Sequence, residues 1–250
     1  MRVNKDGTMD IFAARRADGE KMGVEEKPSY EQNPLLKTNR FTKEWFAQDK
    51  QFTLLDVGCY DGHDSAEYIH DLGLDRSRIF SFEADPRVAE YYRKGHAKLI
   101  EEGKMNLVEG AVSNVDGELT WYASDVVAGA DAHGNRAAPS GTHKYPRGHM
   151  ANHKHIAFTE IKVKSMKLDT WFEQQDFDLI DFMHVDVNGG EQEFIEGAYD
   201  TLNNHTKFLW MEFMTKTGYW DKAESGVEML TNFDHYDSVG FNQLWVNRTL

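Results

Sequence analysis

Short apolar segments alternate with helical ones along the chain, and this alternation constrains the fold more than any other feature. From residue 52 the order is a strand "FTLLDVG", a helix from about Asp64 to Leu72, a strand "RIFSFEA" and a helix from Pro86 to about Glu102. A third strand, "NLVEGAVS", follows. Near-continuous apolar strands separated by helices are typical of a parallel sheet covered on both faces. The pattern therefore predicts a doubly wound α/β domain.

The second half of the chain extends this pattern. After residue 113, "DGELTWYA" and "TEIKVKSM" each alternate like strands, and we expect them to pair with each other. A short helix "LDTWFEQ", a strand "FDLIDFMHVDV", a helix from Glu191 to Leu202 and a strand "KFLWMEFM" come next. The last stretch, "YDSVGFNQLWVN", predicts an antiparallel hairpin that turns at Gly240. The expected sheet has seven strands, mostly parallel, with this hairpin at its C-terminal end.

The chain of 250 residues fits one main core. Residues 1–34 are polar and without periodicity, which predicts a loosely ordered N-terminal arm. Helical spacing of apolar residues in "LLKTNRFTKEWFA", residues 35–47, predicts a helix, and residues 35–250 are expected to form a single domain. The insertion at 125–158 is longer than the ~12 to 15 residues of an ordinary irregular loop, which favours a lid.

Charge and cysteine content limit the partners. The chain has 28 basic and 42 acidic residues and a net charge of −14, which disfavours nucleic acid because binding to phosphate backbones depends on clustered cations. The single Cys59 excludes an internal disulfide framework and fits a reducing compartment. No segment approaches the ~20 apolar residues that span a bilayer. We expect a cytoplasmic protein, and its oligomeric state stays open.

The stretch "LLDVGCYDGHDS" leads from the first strand into a turn with two glycines. A dinucleotide fingerprint needs Gly-x-Gly-x-x-Gly, so that bare backbone N–H groups approach a pyrophosphate. Gly58 and Gly62 lack that spacing, and the carboxylates of Asp61 and Asp64 would repel an anion. The turn therefore disfavours a nicotinamide-dependent oxidoreductase and favours a ligand that carries a positive charge.

A nucleoside that carries a cationic group matches the residues of this turn. Asp56 or Asp61 would bind its ammonium, and Gly58 and Gly62 would allow close backbone approach. In nucleotide-binding folds, an acidic residue ~20 positions after the glycine turn binds the ribose hydroxyls, and Glu83 lies at this spacing. S-adenosyl-L-methionine has a sulfonium, an ammonium and a ribose but no phosphate. The reaction that it supports needs an aligned acceptor and removal of a proton from that acceptor.

Several stretches match a known family in order and spacing: "LLDVGCYDG", "FSFEADP", "NLVEGAVSNVDGELTWY", "VKSMKLDTWF", "HVDVNGGEQEFIEGA" and "FLWMEF". By these motifs, residues 53 to 213 resemble the FkbM-type S-adenosylmethionine-dependent methyltransferases, which are O-methyltransferases of the class I Rossmann-like fold. The resemblance implies that Glu83 holds the ribose and that Asp186 lies near the transferred methyl group. It assigns the methionine side of the cofactor to Asp56, Gly58, Asp61 and Gly62, and the flanks of the adenine to Gly110, Ala111 and Val112.

The chain departs from this family at one strand end. Related sequences usually have Lys-Ile-Asp-Val-Glu-Gly where this chain has "HVDVNG", so a lysine has become His184 and a glutamate has become Asn188. His184 is a candidate general base, since histidine titrates near neutrality, and a buried structural histidine is the alternative. Glu212 in "LWMEF" ends a parallel strand, where such folds keep their sites. The catalytic candidates are therefore Asp186, His184 and Glu212.

The insertion is rich in histidine, and in "HMANHKH" the first two lie four residues apart, as in some metal sites. The usual acidic partner is missing, so we expect a solvated loop without metal. If the insertion is a lid, Lys144, Tyr145 and Arg147 offer donors to a sugar or an anionic group.

The sequence thus predicts an S-adenosyl-L-methionine-dependent O-methyltransferase that acts on a hydroxyl of a small molecule or glycan. The alternative is a protein that keeps the nucleoside site for binding or regulation.

Overall fold

The protein is described by a computed structural model. The structure describes residues 52–72, 78–124, 141–152, 156–213, 218–219 and 221–250, and near the start of the chain two short antiparallel strands, β1 (Arg2–Val3) and β2 (Met9–Asp10). The rest of the predicted N-terminal arm, the predicted helix at 35–47 and residues 125–140 of the insertion lie outside the described residues. The predicted boundary between arm and domain therefore stays a prediction.

The first half of the described chain alternates strands and helices as predicted. Its elements are β3 (Thr53–Val57), α1 (His63–Leu72), β4 (Arg78–Glu83), α2 (Pro86–Gly95), α3 (Ala97–Glu101) and β5 (Met105–Glu109). Helix α2 begins where Asp85 accepts the backbone N–H of Arg87 and Pro86 occupies the first helical position. The prediction of one helix from 86 to 102 was wrong, because the chain leaves helical geometry at His96, whose buried ring lies 2.8 Å from the carbonyl oxygen of Asp61.

A second, three-stranded sheet follows. It contains β6 (Ala111–Val112), β7 (Gly117–Ser124) and, after helix α4 (Arg147–Asn152), strand β8 (Phe158–Met166). The predicted pairing of β7 with β8 is confirmed, and the two run antiparallel. The prediction of one continuous strand over "NLVEGAVS" was wrong. Gly110 has a φ of +145°, and past it the chain leaves the main sheet and pairs with β8.

The remaining elements complete the main sheet. They are α5 (Leu168–Phe172), β9 (Ile180–Val185), α6 (Glu191–Gly197), α7 (Tyr199–His205), β10 (Thr206–Glu212), a 3-10 turn (Val227–Met229), β11 (Phe233–Val239) and β12 (Asn242–Asn247). The predicted helix over 191–202 is divided at Ala198, and its second part extends to His205. Among the described helices, none is both long and apolar enough to span a membrane.

The main sheet has seven strands in the order β11-β12-β10-β9-β3-β4-β5. Neighbouring strands from β10 to β5 are parallel, whereas β12 is antiparallel to both β10 and β11. The predicted sheet and its C-terminal hairpin are therefore confirmed. Strands β9 and β3 are central, so their carboxyl ends lie beside the order reversal at which such folds bind ligands.

Core side chains cover both faces of this sheet. On β3, Leu55 and Val57 pack with Met183 of β9 on one face, and Leu54 packs with Phe182 on the other. This alternation follows from the two-residue period of a strand. Burial on both faces is the doubly wound arrangement that the apolar strands predicted.

We predict that Phe182→Ala lowers the free energy of unfolding by about 3–5 kcal/mol, because Phe182 is 0% exposed at the centre of the sheet and its loss leaves a cavity. Phe241→Ala is the matched control, since Phe241 is 51% exposed. Urea denaturation of both variants measures the difference. Equal losses in the two variants would contradict the packing described.

Candidate active site

The glycine turn joins the carboxyl ends of three parallel strands. The backbone N–H groups of Gly58 and Cys59 both donate to the carbonyl of Phe82 at the end of β4, at 3.0 and 3.1 Å. On the other side, the N–H of Asp186 after β9 donates to Val57 O at 2.9 Å. A Cβ on Gly58 would lie 1.8 Å from Asp186 O, so the strand ends can meet only because residue 58 has no side chain. Its φ of +80° also favours glycine.

Asp56 points into the protein. The residue is 1% exposed, and its carboxylate accepts a hydrogen bond from the hydroxyl of Ser65 on α1. Ser65 Oγ lies 3.0 Å from Ser81 Oγ, and the hydroxyl of Tyr92 donates to Ser81 at 2.9 Å. The other carboxylate oxygen of Asp56 lies 3.2 Å from Nδ1 of His184 on β9. The structure thus places the Asp56 carboxylate among partners within the protein.

His184 is held in an acidic environment. Burial lowers the pKa of its imidazole, but Asp56, Asp64 and Asp186 raise that pKa more, to about 9. The rings of Tyr68 and His184 form a T-shaped pair, with the ring centroids 6.3 Å apart. At neutral pH His184 therefore carries a positive charge, a state that cannot accept a proton.

Asp186 and Glu212 form a carboxyl pair at the ends of adjacent strands. Burial and the charge of Glu212 raise the pKa of Asp186, while the cation of His184 lowers it. The pKa of Glu212 is also raised, first by burial. Two close carboxyls cannot both ionise easily, so the pair shares one proton near neutrality. The structure therefore brings together all three residues that the sequence named as catalytic candidates.

Glu83, the residue predicted to bind the ribose, lies against the glycine turn. Its carboxylate accepts the backbone N–H of Asp85 at 2.7 Å and also that of Tyr60, while burial raises its pKa to about 8. The N–H of Gly110 donates to Glu83 O at 2.9 Å, which joins the end of β5 to the same edge. The residues proposed for ribose and for one flank of the adenine are thus neighbours.

Ala111 and Val112 differ from their predicted role in one respect. Both are buried, and they pair with Ser165 and Met166 of β8. Because the side chain of Val112 packs in the main core, only the backbone of this segment is placed to flank a ligand.

Acids of the turn have separate tasks. Asp61 Oδ1 accepts the N–H of His63 and so caps α1, at 3.1 Å. Asp64, in the first turn of α1, reaches solvent and lies close enough to His184 for their charges to interact. Asp64 is therefore better placed than Asp56 to meet the ammonium of a ligand. Asp64 lies in the stretch "DGHD" that follows the first strand. No local pattern in the sequence indicates that Asp56 turns inward whereas Asp64 reaches solvent.

Part of the insertion packs beside this site. Thr142 donates its hydroxyl to the carbonyl of Asn188 at 2.8 Å, and a Cβ on Gly190 would lie 2.5 Å from the ring of His143. Lys144 pairs with Glu193 of α6. Residues 141–144 therefore cover the turn that follows Asp186.

The other predicted lid donors are also engaged within the protein. Arg147 Nη2 lies 3.1 Å from Asp221 Oδ2, and the guanidinium lies 6.0 Å from the centre of the Tyr145 ring. Tyr145 itself is exposed. In this arrangement residues 141–147 pack against the rest of the domain. Their role as an acceptor-binding lid stays a prediction.

Comparison with known proteins now adds to this geometry. The model of the methyltransferase FkbM domain matches residues 56–238. The chain belongs to the FkbM methyltransferase family. Membership confirms the resemblance predicted from the sequence and, with it, S-adenosyl-L-methionine as the cofactor.

Two known proteins are similar to this chain, one in sequence and one in structure. The 2-O-methyltransferase NoeI of Sinorhizobium fredii (strain NBRC 101917 / NGR234) is 29% identical over 167 residues, which are 66% of this chain and 65% of that protein. A crystal structure of methyltransferase FkbM from Methylobacillus flagellatus KT aligns with a TM-score of 0.50 at 10% identity, over 92% of this chain and 50% of that one. The chain thus spans 65% and 50% of the lengths of these relatives, and the alignment with the crystal structure supports the predicted class I Rossmann-like fold.

The residues of this FkbM-family site suit S-adenosyl-L-methionine. The carboxylates of Asp56, Asp64 and Asp186 lie around His184 beside the glycine turn and outnumber its single positive charge, which favours a ligand with a cationic group. Buried hydroxyls that support Asp56, those of Ser65, Ser81 and Tyr92, were missed by sequence reasoning. The polar Ser81 within the apolar strand "RIFSFE" was the one signal that could have indicated them.

Among the described side chains, one group has metal-ligand geometry. His63, Asp64 and Glu67 on α1 present atoms within 4.8 Å of one another. His63 Nε2 and Glu67 Oε1 lie 2.8 Å apart, so these two already form an ion-pair contact.

We predict that Gly58→Ala destabilises the protein far more than Gly103→Ala. Both glycines have left-handed φ values, +80° and +70°, but a Cβ at 103 meets nothing within 4 Å. The control should cost only the ~1–2 kcal/mol of left-handed backbone, whereas residue 58 must also displace the backbone of Asp186. Urea denaturation of both variants tests this, and equal destabilisation would contradict the close strand junction.

Proposed function

We propose that this chain transfers a methyl group from S-adenosyl-L-methionine to a hydroxyl of a small molecule or glycan, with Asp186 as the general base. One observation carries the proposal. Asp186 Oδ1 is buried and accepts no hydrogen bond from the described residues. A buried acceptor without a donor is costly, and an acceptor hydroxyl would satisfy it.

The carboxyl pair is suited to removing a proton. The hydrogen bond between Asp186 and Glu212 raises the pKa of Asp186 and lowers that of Glu212, while the cation of His184 favours the ionised form of Asp186. An efficient general base has a pKa close to the working pH, and burial moves the pKa of Asp186 in that direction. Asp186 would accept the proton of the acceptor hydroxyl while Glu212 holds the pair in place.

The glycine turn and its neighbours would hold the cofactor. S-adenosyl-L-methionine supplies an electrophilic methyl group bonded to a good leaving group. Gly58 and Gly62 let the turn pack against Asp186 and Tyr92, Glu83 accepts hydrogen bonds from the ribose hydroxyls, and Asp64 or Asp61 meets the ammonium. The segment Gly110 to Val112 flanks the adenine with its backbone. These residues align the methyl group with the acceptor, and such alignment is the main contribution that the reaction requires of the protein.

A relative supports transfer to oxygen. NoeI is named a 2-O-methyltransferase, and this chain is 29% identical to it over 65% of its length. Hydroxyl groups are also chemically suited to a site with ionised carboxylates, because they donate hydrogen bonds. A neutral hydroxylated acceptor, such as a sugar, fits this site better than an anionic one.

Two features of the sequence bear on the setting. Cys59, the single cysteine, is a free thiol buried in the glycine turn, which fits a reducing compartment. A cytoplasmic location therefore belongs to the same proposal. The net charge of −14 is the reason that a nucleic acid is not proposed as the acceptor.

We predict that Asp186→Asn lowers turnover by about 10² to 10⁴-fold, the contribution typical of a general base, while S-adenosylhomocysteine still binds. Asp178→Asn is the control, since Asp178 is exposed in the loop before β9. The assay follows S-adenosylhomocysteine formation with neutral sugars, sugar acids, alcohols and phenols as candidate acceptors. Undiminished turnover in Asp186→Asn would remove the assignment of the base, and no turnover with any acceptor class would favour the binding or regulatory role.

We predict that Glu83→Gln weakens binding of S-adenosylhomocysteine about tenfold or more, because hydrogen bonds to a charged group contribute ~1.5–3 kcal/mol. Glu118→Gln, at an exposed position of β7, is the control. Calorimetric titration at about pH 9 keeps the Glu83 carboxylate ionised, since its pKa is about 8. Unchanged affinity would exclude Glu83 from the ribose site.

A further inference from the structure

His184 lies on β9, between the strand that carries Asp56 and the strand that ends at Glu212. On β9 it lies in register with Asp56 of β3 on one side and with Trp210 of β10 on the other. Its side chain is 13% exposed, and Asp186 lies two residues further along the chain. Because side chains two apart on an extended chain face the same way, His184 and Asp186 share one side of the sheet.

Carboxylates face this imidazole from every element packed against it. They come from β3, from the first turn of α1, from the end of β9 and from the end of β10, and they are Asp56, Asp64, Asp186 and Glu212. Tyr68 of α1 presents its ring edge-on. A neutral ring here would leave buried carboxylates without a compensating charge, which is costly in a low-dielectric site.

One ring nitrogen of His184 already faces a carboxylate. Nδ1 lies 3.2 Å from Asp56 Oδ1 in an ion-pair contact. The opposing carboxylates raise the pKa of the ring above neutrality despite its burial. A doubly protonated imidazole has no lone pair with which to take a proton from an acceptor.

We infer that His184 is a positioning residue that acts as a fixed cation: it pairs with Asp56 on one side and favours the ionised form of Asp186 on the other. The inference rests on the proposed function, because it assigns the proton transfer to Asp186. It also explains how the site works without a lysine at residue 184, since an imidazolium supplies the same charge from a shorter side chain.

The ionisation of both groups can be measured without an acceptor. We would record NMR titrations of the full chain with isotope-labelled histidine rings and aspartate carboxyls, and assign the two signals by their loss in His184→Asn and Asp186→Asn. In the wild type the His184 ring should stay protonated through neutrality. In His184→Asn the midpoint of Asp186 should rise by about one to three pH units, the effect of removing an opposite charge nearby.

His184→Lys separates charge from imidazole chemistry. As a cation without an imidazole, this variant should return the Asp186 midpoint most of the way to the wild-type value. A His184 ring that is neutral at pH 7.5 in the wild type would overturn the inference even if His184→Asn does not fold, because the ring signal is also assigned by its loss in His184→Lys. An Asp186 midpoint that does not move in a folded His184→Asn would also overturn it, and thermal unfolding establishes that the variant is folded.

The proposed function fails by a different result. If Asp186→Asn retains turnover, the base is wrong whatever the titrations give. If Asp186→Asn is inactive but the Asp186 midpoint is the same in wild type and His184→Asn, the base stands and the role of His184 falls. In the turnover assay, His184→Asn should shift the acid limb of the rate profile to higher pH, and His184→Lys should reverse most of that shift. Loss of activity at all pH values in both folded variants would instead make His184 the base.

Discussion

The close contact between Gly58 and Asp186 determines the shape of the site. At this point the carboxyl ends of β3, β4 and β9 converge, and hydrogen bonds from Gly58 and Asp186 tie the three strands together. A side chain at residue 58 would have to occupy the space of the Asp186 carbonyl. One missing Cβ thus brings the glycine turn, Glu83 and the proposed base to one edge of the sheet, and every role proposed for these residues depends on that proximity.

Charge compensation is the second constraint on the site. Several carboxylates converge on the strand ends, and His184 is the cation that acts on both Asp56 and Asp186. Buried like charges repel each other strongly, so one proton shared by Asp186 and Glu212 and one imidazolium together make the cluster tolerable. The same balance that stabilises the fold leaves a carboxylate poised to accept a proton. Structure and chemistry are therefore inseparable at this edge of the sheet.

Local pattern predicted the main elements because each strand here is apolar along its whole length. The hairpin at Gly240 and the pairing of β7 with β8 followed from alternation and turn residues, which are short-range signals. Predictions failed where a distant contact changes the backbone. His96 interrupts a helix to reach the carbonyl of Asp61, and Gly110 lets the chain leave one sheet for another. In both cases the contacting residue lies far away in the sequence, outside the few consecutive residues that define a helix or a strand.

By itself the sequence determined the doubly wound class, the glycine turn after the first strand and the acid at the end of the second, because hydrophobic period and glycine spacing are written in consecutive residues. It also determined the family. Only the tertiary structure decided that Asp56 turns inward to Ser65 and His184, that Asp64 remains at the solvent side, and that three carboxylates act on His184 and raise the pKa of its ring. The physical reason is that the direction and the pKa of a side chain depend on charges and donors brought together from β3, α1, β9 and β10, and those neighbours exist only once the chain has folded.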